Sequence, residues 1–305
     1  MIENLRIIIP GGAGFVGRNL VKFLVRAVPA ENITVIDKSA DHLKMIKQYG
    51  VKTGQADLSE KGSWYGLFSG QDVVIHLAAQ ISSPVEEDFQ KNNIRATEHI
   101  LEAAKTAGIP RILFFSSAAV LSVRKDSYAD TKLRAEELVK QSGLTYCVIQ
   151  PSMMYGPTDD KNIGYLINFA EKMPVFPIPG HGRWPRQPLY IDDICRLIIH
   201  FLEEFPENKV YSINGKDTIF FKDMIDAVFH ELGGFKMKLY LPIPVFKFLM
   251  VSYQRLIGNQ QFTADQVDSL ASCDVFPDYP WWDEFHIPVT PFNEGIRMML
   301  ESKKQ

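Results

Sequence analysis

Ser117, Tyr128 and Lys132 are the side chains whose types and spacing best suit proton chemistry. Tyr128 and Lys132 stand at i and i+4 of a segment with a helical pattern, so both leave one helix face. A free phenol has a pKa near 10 and is a poor base at neutral pH; bringing it to about 7 takes about 4 kcal/mol. A lysine ammonium beside the phenol supplies part of that by favouring the phenolate. Ser117, just past the apolar strand pattern Ile112–Phe115, can hold the substrate oxygen that loses its proton. The plainer reading of Tyr-x-x-x-Lys is a surface helix with a snorkelling lysine.

A second constellation supplies a place for the hydride. Gly11-Gly12-Ala13-Gly14-Phe15-Val16-Gly17 joins an apolar strand pattern to a helical one. Gly11, Gly14 and Gly17 permit a tight turn, close approach to a pyrophosphate and tight helix packing, while Phe15 and Val16 open the helix whose N–H groups meet the phosphates. Asp37, ending the next strand pattern, accepts from a ribose 2′-hydroxyl and repels a 2′-phosphate, so the expected cofactor is NAD; neighbouring Lys38 weakens the preference over NADP. Asp57 and Leu58, after the third strand, are placed to bracket the adenine, or form an ordinary strand-end turn. The cationic nicotinamide is then the second positive charge near Tyr128.

The elements that must position these groups follow from hydrophobic patterning. Leu5–Ile9, Ile33–Ile36, Val73–Leu77, Arg111–Phe115 and Thr145–Ile149 are short, mostly apolar runs. Helical patterns separate them at Phe15–Arg26, Asn92–Thr106 and Tyr128–Gln141. Buried strands alternating with helices predict an α/β fold, a doubly wound parallel Rossmann sheet. The rhythm breaks after Pro151, and Met173–Pro188 holds five prolines. Helical patterns resume at Asp192–Glu204, Phe221–Leu232 and Val245–Ile257. The expected organisation is an NAD-binding domain over 1–150, completed by elements within about 188–214, and a smaller, mostly helical substrate lobe over 151–305.

Composition limits the alternatives. The 305 residues are 46% hydrophobic and 23% charged, with a net charge of -3, proportions of a globular chain without the basic field that nucleic-acid binding needs. The three cysteines, Cys147, Cys195 and Cys273, lie far apart in no metal-ligand spacing, so a reducing, cytoplasmic setting is expected and no metal. With a strand pattern already beginning at Leu5, no signal peptide is expected, and no apolar run reaches the roughly 20 residues of a membrane span.

On these residues the chain resembles the extended short-chain dehydrogenase/reductase family, in its nucleotide-sugar epimerase and dehydratase group. His76-Leu77-Ala78-Ala79, Asn93–Thr97, Ser116-Ser117, Pro151–Pro157 and Arg186–Asp193 match beside the glycine loop and Tyr128/Lys132. The resemblance implies that Tyr128 is the general base and acid. It makes Lys132 the residue that tunes it and holds the nicotinamide ribose, and has Ser117 orient the reacting hydroxyl. It extends the cofactor site to Leu77, Ala78, Ala79, Asn93, Ser116, Pro151 and Ser152, and the substrate site to Gln80, Asn162 and Arg186, the last on a phosphate. In plainer readings Asn93 caps its helix, Arg186 covers a loop and His76 packs in its strand. A homodimer through Asn92–Thr106 and Tyr128–Gln141 is also implied. Pro174–Asp193, Phe262–Val267 and Pro291–Leu300 further resemble the branch containing the nucleotide-binding accessory subunit of respiratory complex I.

Departures from the family pattern narrow the reaction. Ala118 and Ala119 replace the Asp-Glu pair with which family dehydratases expel water, which disfavours a 4,6-dehydratase; the glutamate usual in related decarboxylases is missing too. The Ser117–Tyr128 interval is short, and Gln150 replaces a common arginine, so a different substrate mouth is expected. The leading expectation is an NAD-dependent epimerase of a nucleotide- or lipid-linked sugar, acting through a transient ketone. The alternatives are a net dehydrogenase or reductase of a non-sugar alcohol or carbonyl, and a non-catalytic dinucleotide-binding subunit. The apolar 241–257 stretch is read as core or subunit interface, or as contact with a membrane surface or a lipid-linked substrate; Trp281-Trp282 as packing in the lobe, ahead of lining a substrate mouth.

Overall fold

The computed structural model describes residues 2–122, 125–257, 276 and 279–303. Its main sheet has seven strands, all parallel: β1 (Ile7–Pro10), β2 (Ile33–Asp37), β3 (Lys52–Gln55), β4 (Val73–His76), β5 (Arg111–Phe115), β6 (Thr145–Pro151) and, at the edge beside β6, Lys209–Ile213. From that edge inward the order runs through β6, β5, β4 and β1 to β2 and β3, so the winding reverses between β4 and β1. Such a reversal opens a crevice at the carboxyl ends of the strands. The strands are apolar on both faces because both are covered. Ile7, Ile9, Val35 and Ile75 enter one core with α1 (Phe15–Leu24), while Ile8, Ile36, Val74 and Phe114 enter another.

The remaining helices of this body are α2 (Ala40–Lys47), α3 (Glu86–Phe89), α4 (Ala96–Thr106) and α5 (Ser127–Lys140). The expected helix at Asn92–Thr106 starts earlier: Glu86 leads through a π-helical stretch, Gln90–Arg95, into α4. The second lobe contains α6 (Ile163–Lys172), α8 (Phe221–Leu232), α9 (Ile243–Ile257) and Phe292–Ser302, while α7 (Ile191–Glu203) packs on α1. This lobe is less purely helical than its patterning suggests. Three two-stranded sheets thread it, pairing Met154–Tyr155 with Leu189–Tyr190, Val175–Pro179 with Met237–Leu241, and Pro185–Arg186 with Ile219–Phe220. Trp281 packs, but in the core of the main sheet rather than in the lobe, and donates to the Asn214 carbonyl at 2.9 Å. Phe262–Val267 and Cys273 lie outside the described residues. Among the described residues no helix is long and apolar enough to cross a membrane.

Candidate active site

The glycine loop sits at the mouth of the crevice. Gly11 has φ +77°, and a Cβ there would stand 2.3 Å from the Ala78 backbone nitrogen, so the loop lies directly on the segment leaving β4. A Cβ at Gly17 would fall 2.1 Å from the Gly12 carbonyl oxygen, which keeps α1 tight against the turn. Gly14 caps α1 with extended backbone, and the first turn, with Phe15 and Val16, has neither a side-chain cap nor an acidic residue. Its N–H groups and partial positive charge are therefore left for an anion. Asp37 accepts from the Ala13 N–H at 3.2 Å, which brings its carboxylate to the loop where a ribose diol would lie. Lys38 reaches instead to Asn92, at 3.4 Å.

Asp57 turns on Ser59, accepting from its N–H at 3.0 Å and its hydroxyl at 2.6 Å. Burial pushes its carboxyl upward, but those bonds together with Lys91 and Lys38 outweigh burial and hold it below the usual range. Leu58 is buried, and its carbonyl contacts the His99 ring at 3.2 Å.

The expected catalytic trio is assembled where β5 ends. Asp126 caps α5 by accepting from the Ala129 N–H at 2.8 Å, which places Tyr128 in the first turn. Ser117 caps the short 3-10 turn Ala118–Leu121, accepting from Ala119 at 3.2 Å, and its hydroxyl hydrogen-bonds the Tyr128 phenol. Burial raises the phenol's pKa, the Ser117 bond lowers it, Asp126 raises it, and the net movement is upward. Lys132 is buried and donates to the Phe115 carbonyl, its ammonium 4.2 Å from the centre of the Phe114 ring. Burial pulls its pKa down to about 7, against the pull of Glu136. The lysine thus serves the end of β5, and the phenol of the protein alone stays protonated at neutral pH.

Other expected residues brace this centre. Asn93 lies inside the π-helical stretch rather than at a cap. Its Oδ1 accepts from the Gln80 N–H at 2.7 Å and its Nδ2 donates to the Gln80 carbonyl at 3.2 Å and to Thr131 Oγ1 at 3.0 Å. It therefore ties the segment after Ala79 to α5. Leu77 and Ala78 are half-buried and Ala79 is exposed. Ser116 is buried with an unpartnered hydroxyl at the strand edge, where a bound amide or hydroxyl would satisfy it. His76 is a packing residue: its Nε2 lies 2.9 Å from Thr97 Oγ1, and burial, aided by Lys132, holds the ring neutral.

Further residues make contacts of their own within the chain. Gln150 does not face a mouth; it donates at 3.0 Å to Glu136, a buried carboxylate that also holds Lys140 at 2.7 Å. Ser152 follows the buried Pro151 and locks three segments, bonding the Gln187 carbonyl at 2.5 Å and the Gly215 N–H at 3.3 Å. Asn162 is exposed at the start of α6, donating to the Met154 carbonyl at 3.3 Å. Arg186 is half-buried in Pro185–Arg186 and donates to the Pro185 carbonyl at 2.7 Å. Sequence reasoning missed Glu136 and Thr131. Glu136 was detectable as the residue one turn beyond Lys132; Thr131 carries no such signal. Among the described residues no group of acidic, His or Cys side chains could hold a metal.

A sequence profile of the NAD dependent epimerase/dehydratase family matches residues 7–214, the sheet and the trio together. The chain belongs to this family. The cofactor is accordingly NAD, and the Gly11 cradle with Asp37 beside it fits that dinucleotide. Among curated relatives, the 3beta-hydroxysteroid-dehydrogenase/decarboxylase isoform 2 of Arabidopsis thaliana is 24% identical over 97% of this chain, which spans 61% of that protein's length. The 4-hydroxy-2-methyl-3-oxo-4-farnesyl-3,4-dihydroquinoline-1-oxide ketoreductase of Stigmatella aurantiaca is 27% identical over 75% of this chain and 74% of its own. The complex I likeness is also found: NADH dehydrogenase [ubiquinone] 1 alpha subcomplex subunit 9 of Arabidopsis thaliana is 23% identical over 88% of the chain and 70% of its own. The UDP-glucose 4-epimerase of Thermotoga maritima, solved with UDP-glucose, superposes with a TM-score of 0.79 at 18% identity, covering 98% of both chains. That likeness shows the Rossmann fold.

Proposed function

We propose that this chain is an NAD-dependent oxidoreductase that interconverts a secondary alcohol and its ketone on an apolar, lipid-like substrate. The observation that carries the reading is the hydrogen-bonded Ser117–Tyr128 pair past the carboxyl end of β5, where buried Lys132 holds the Phe115 carbonyl, in the same parallel sheet as the glycine loop. Gly11, Gly14 and the first turn of α1 would hold the pyrophosphate, Asp37 the adenosine ribose, and Lys132 the nicotinamide ribose. NAD, when bound, supplies a hydride acceptor and a positive charge. Ser117 holds the carbinol oxygen. Tyr128 takes its proton in oxidation and returns it to the carbonyl in reduction. The Lys132 ammonium favours the phenolate while it exists.

The relatives support the substrate class, and the residues after Ser117 limit the reaction. Ala118 and Ala119 offer no acid to expel a hydroxyl. Two of the three curated relatives are named for a hydroxysteroid dehydrogenase/decarboxylase and a ketoreductase of a farnesylated quinoline. The test is NADH consumption at 340 nm with apolar ketones, together with transfer of deuterium from 4-deuterated NADH, by wild type and Tyr128→Phe. Deuterium at the carbinol carbon, lost in Tyr128→Phe, is the expected result. A nucleotide sugar epimerised with no net change in NADH would overturn the reading.

Epimerisation of a nucleotide- or lipid-linked sugar is the second reading. It uses the same proton transfer, and Arg186 favours it, because a half-buried guanidinium suits a substrate phosphate. The side-by-side helices α4 and α5 are the proposed homodimer surface. A cytoplasmic location is supported by Cys147 and Cys195, buried as free thiols.

A further inference from the structure

The second lobe ends in an apolar face that the chemistry above does not use. Met237 and Leu239 on strand Met237–Leu241, with Val245, Phe248 and Leu249 on the outer side of α9, are exposed alongside Phe235. Phe235 and Phe248 stand 80% and 71% exposed, unusual for phenylalanine in a globular chain. The helix is seated by Phe246, which is buried, so Val245, Phe248 and Leu249 (at i, i+3 and i+4) form one outward stripe.

A basic cavity of about 630 Å³, lined by Gly180, His181, Arg183, Lys222 and Tyr240, opens where strand Met237–Leu241 runs into α9, with Gly180 facing Ile243. Its rim is a built turn. Gly180 and Gly182 take φ of +58° and +65°, Gly180 donates to the Leu241 carbonyl at 2.7 Å, and Lys222 donates through its backbone to Gly182 at 2.9 Å. Arg183 is exposed on that turn and makes no ion pair with a described residue, whereas Lys222 holds Asp223 at 2.8 Å and Lys238 holds Asp226 at 2.6 Å. Apolar side chains beside an uncompensated guanidinium match the two layers of an anionic bilayer surface, acyl chains under phosphate. A protein interface of this apolarity would deplete lysine from its centre instead.

We infer that the Phe235–Leu249 face docks on an anionic membrane surface, with a lipid phosphate in the Arg183/Lys222 cavity. The inference goes beyond the redox assignment, since docking needs no turnover.

The test is flotation of the full chain with vesicles of phosphatidylcholine alone or mixed with phosphatidylglycerol. Binding is expected only to the anionic vesicles and to weaken as salt rises. Arg183→Ala should weaken it about fivefold. Phe235→Ser combined with Phe248→Ser should weaken it roughly tenfold or more. NAD binding and thermal midpoint, unchanged, show the variants folded; if the double variant does not fold, Arg183→Ala and the salt series decide alone. Three results would overturn the inference: equal or no binding to both vesicle types, wild-type binding by the variants, or a solution dimer that the double variant dissociates. Protection of the cavity by inorganic phosphate without vesicle binding would likewise overturn it, in favour of a soluble anion.

Discussion

Lys132 carries the sharpest conflict between stability and chemistry. Its side chain belongs to a residue only 2% exposed, and burial lowers its pKa from 10.5 to about 7. Below pH 7 the folded protein bears the full penalty of a buried charge. Above it, the folded lysine sheds its proton while the unfolded one keeps it to about 10.5, so stability from this group rises with pH across that window. The full penalty is about 5 kcal/mol. Lys132→Met should therefore melt higher than wild type at pH 6, with the gap closing towards pH 9, while oxidoreductase activity is lost; equal midpoints at every pH would refute this. Tyr128→Phe removes the proton carrier and should lower turnover by about 10²- to 10⁴-fold with NAD affinity intact. Because burial keeps the phenol above its ordinary value, carbonyl reduction should stay level through neutral pH and alcohol oxidation should climb with alkalinity. Glu136, which holds Lys132 towards its charged form, should shift that oxidation limb to higher pH when replaced by Gln. Glu136→Asp should restore part of it.

Elements position these residues by close backbone contact more than by side-chain bonds. Gly11 shows why: its φ is positive, and a Cβ placed there would lie only 2.3 Å from the Ala78 nitrogen, which leaves no room for alanine. Gly11→Ala should destabilise the protein by about 1–3 kcal/mol and weaken NAD at least tenfold, measured by thermal unfolding and by fluorescence titration. This loop was legible in the sequence because strand, turn and helix are contiguous there. The π-helical stretch was not. Its purpose is to turn Asn93 onto Gln80 and Thr131, partners far away in the chain, and no local periodicity announces such a bond. Gln150 misled for the same reason. At its position the family resemblance implies an arginine and a different mouth, whereas the structure shows a buried amide that completes Glu136.

At the scale of the whole molecule, the parallel sheet was legible because each strand is a short apolar run between helical patterns. The second lobe was not, since its two-residue strands are too short to carry a period. Contacts between distant segments hold it to the sheet. Ser152 joins β6 to Gln187 and Gly215, and Asp193 on α7 accepts from Thr290 through both its N–H and its hydroxyl at 2.8 Å. Trp281 is the largest such link, completely buried in the core under the sheet though it lies far outside the segment matched by the family profile. The stretch around Trp281 and Ile287 is thus structurally part of the nucleotide-binding body, while Phe292–Ser302 packs in the second lobe. Trp281→Ala leaves a cavity and should cost about 3–5 kcal/mol. If the two lobes fold as one cooperative unit, near-ultraviolet circular dichroism and loss of NAD binding should report a single, lowered midpoint in the variant. Two separated transitions, with NAD binding surviving the first, would instead show that the sheet stands without its C-terminal tryptophan.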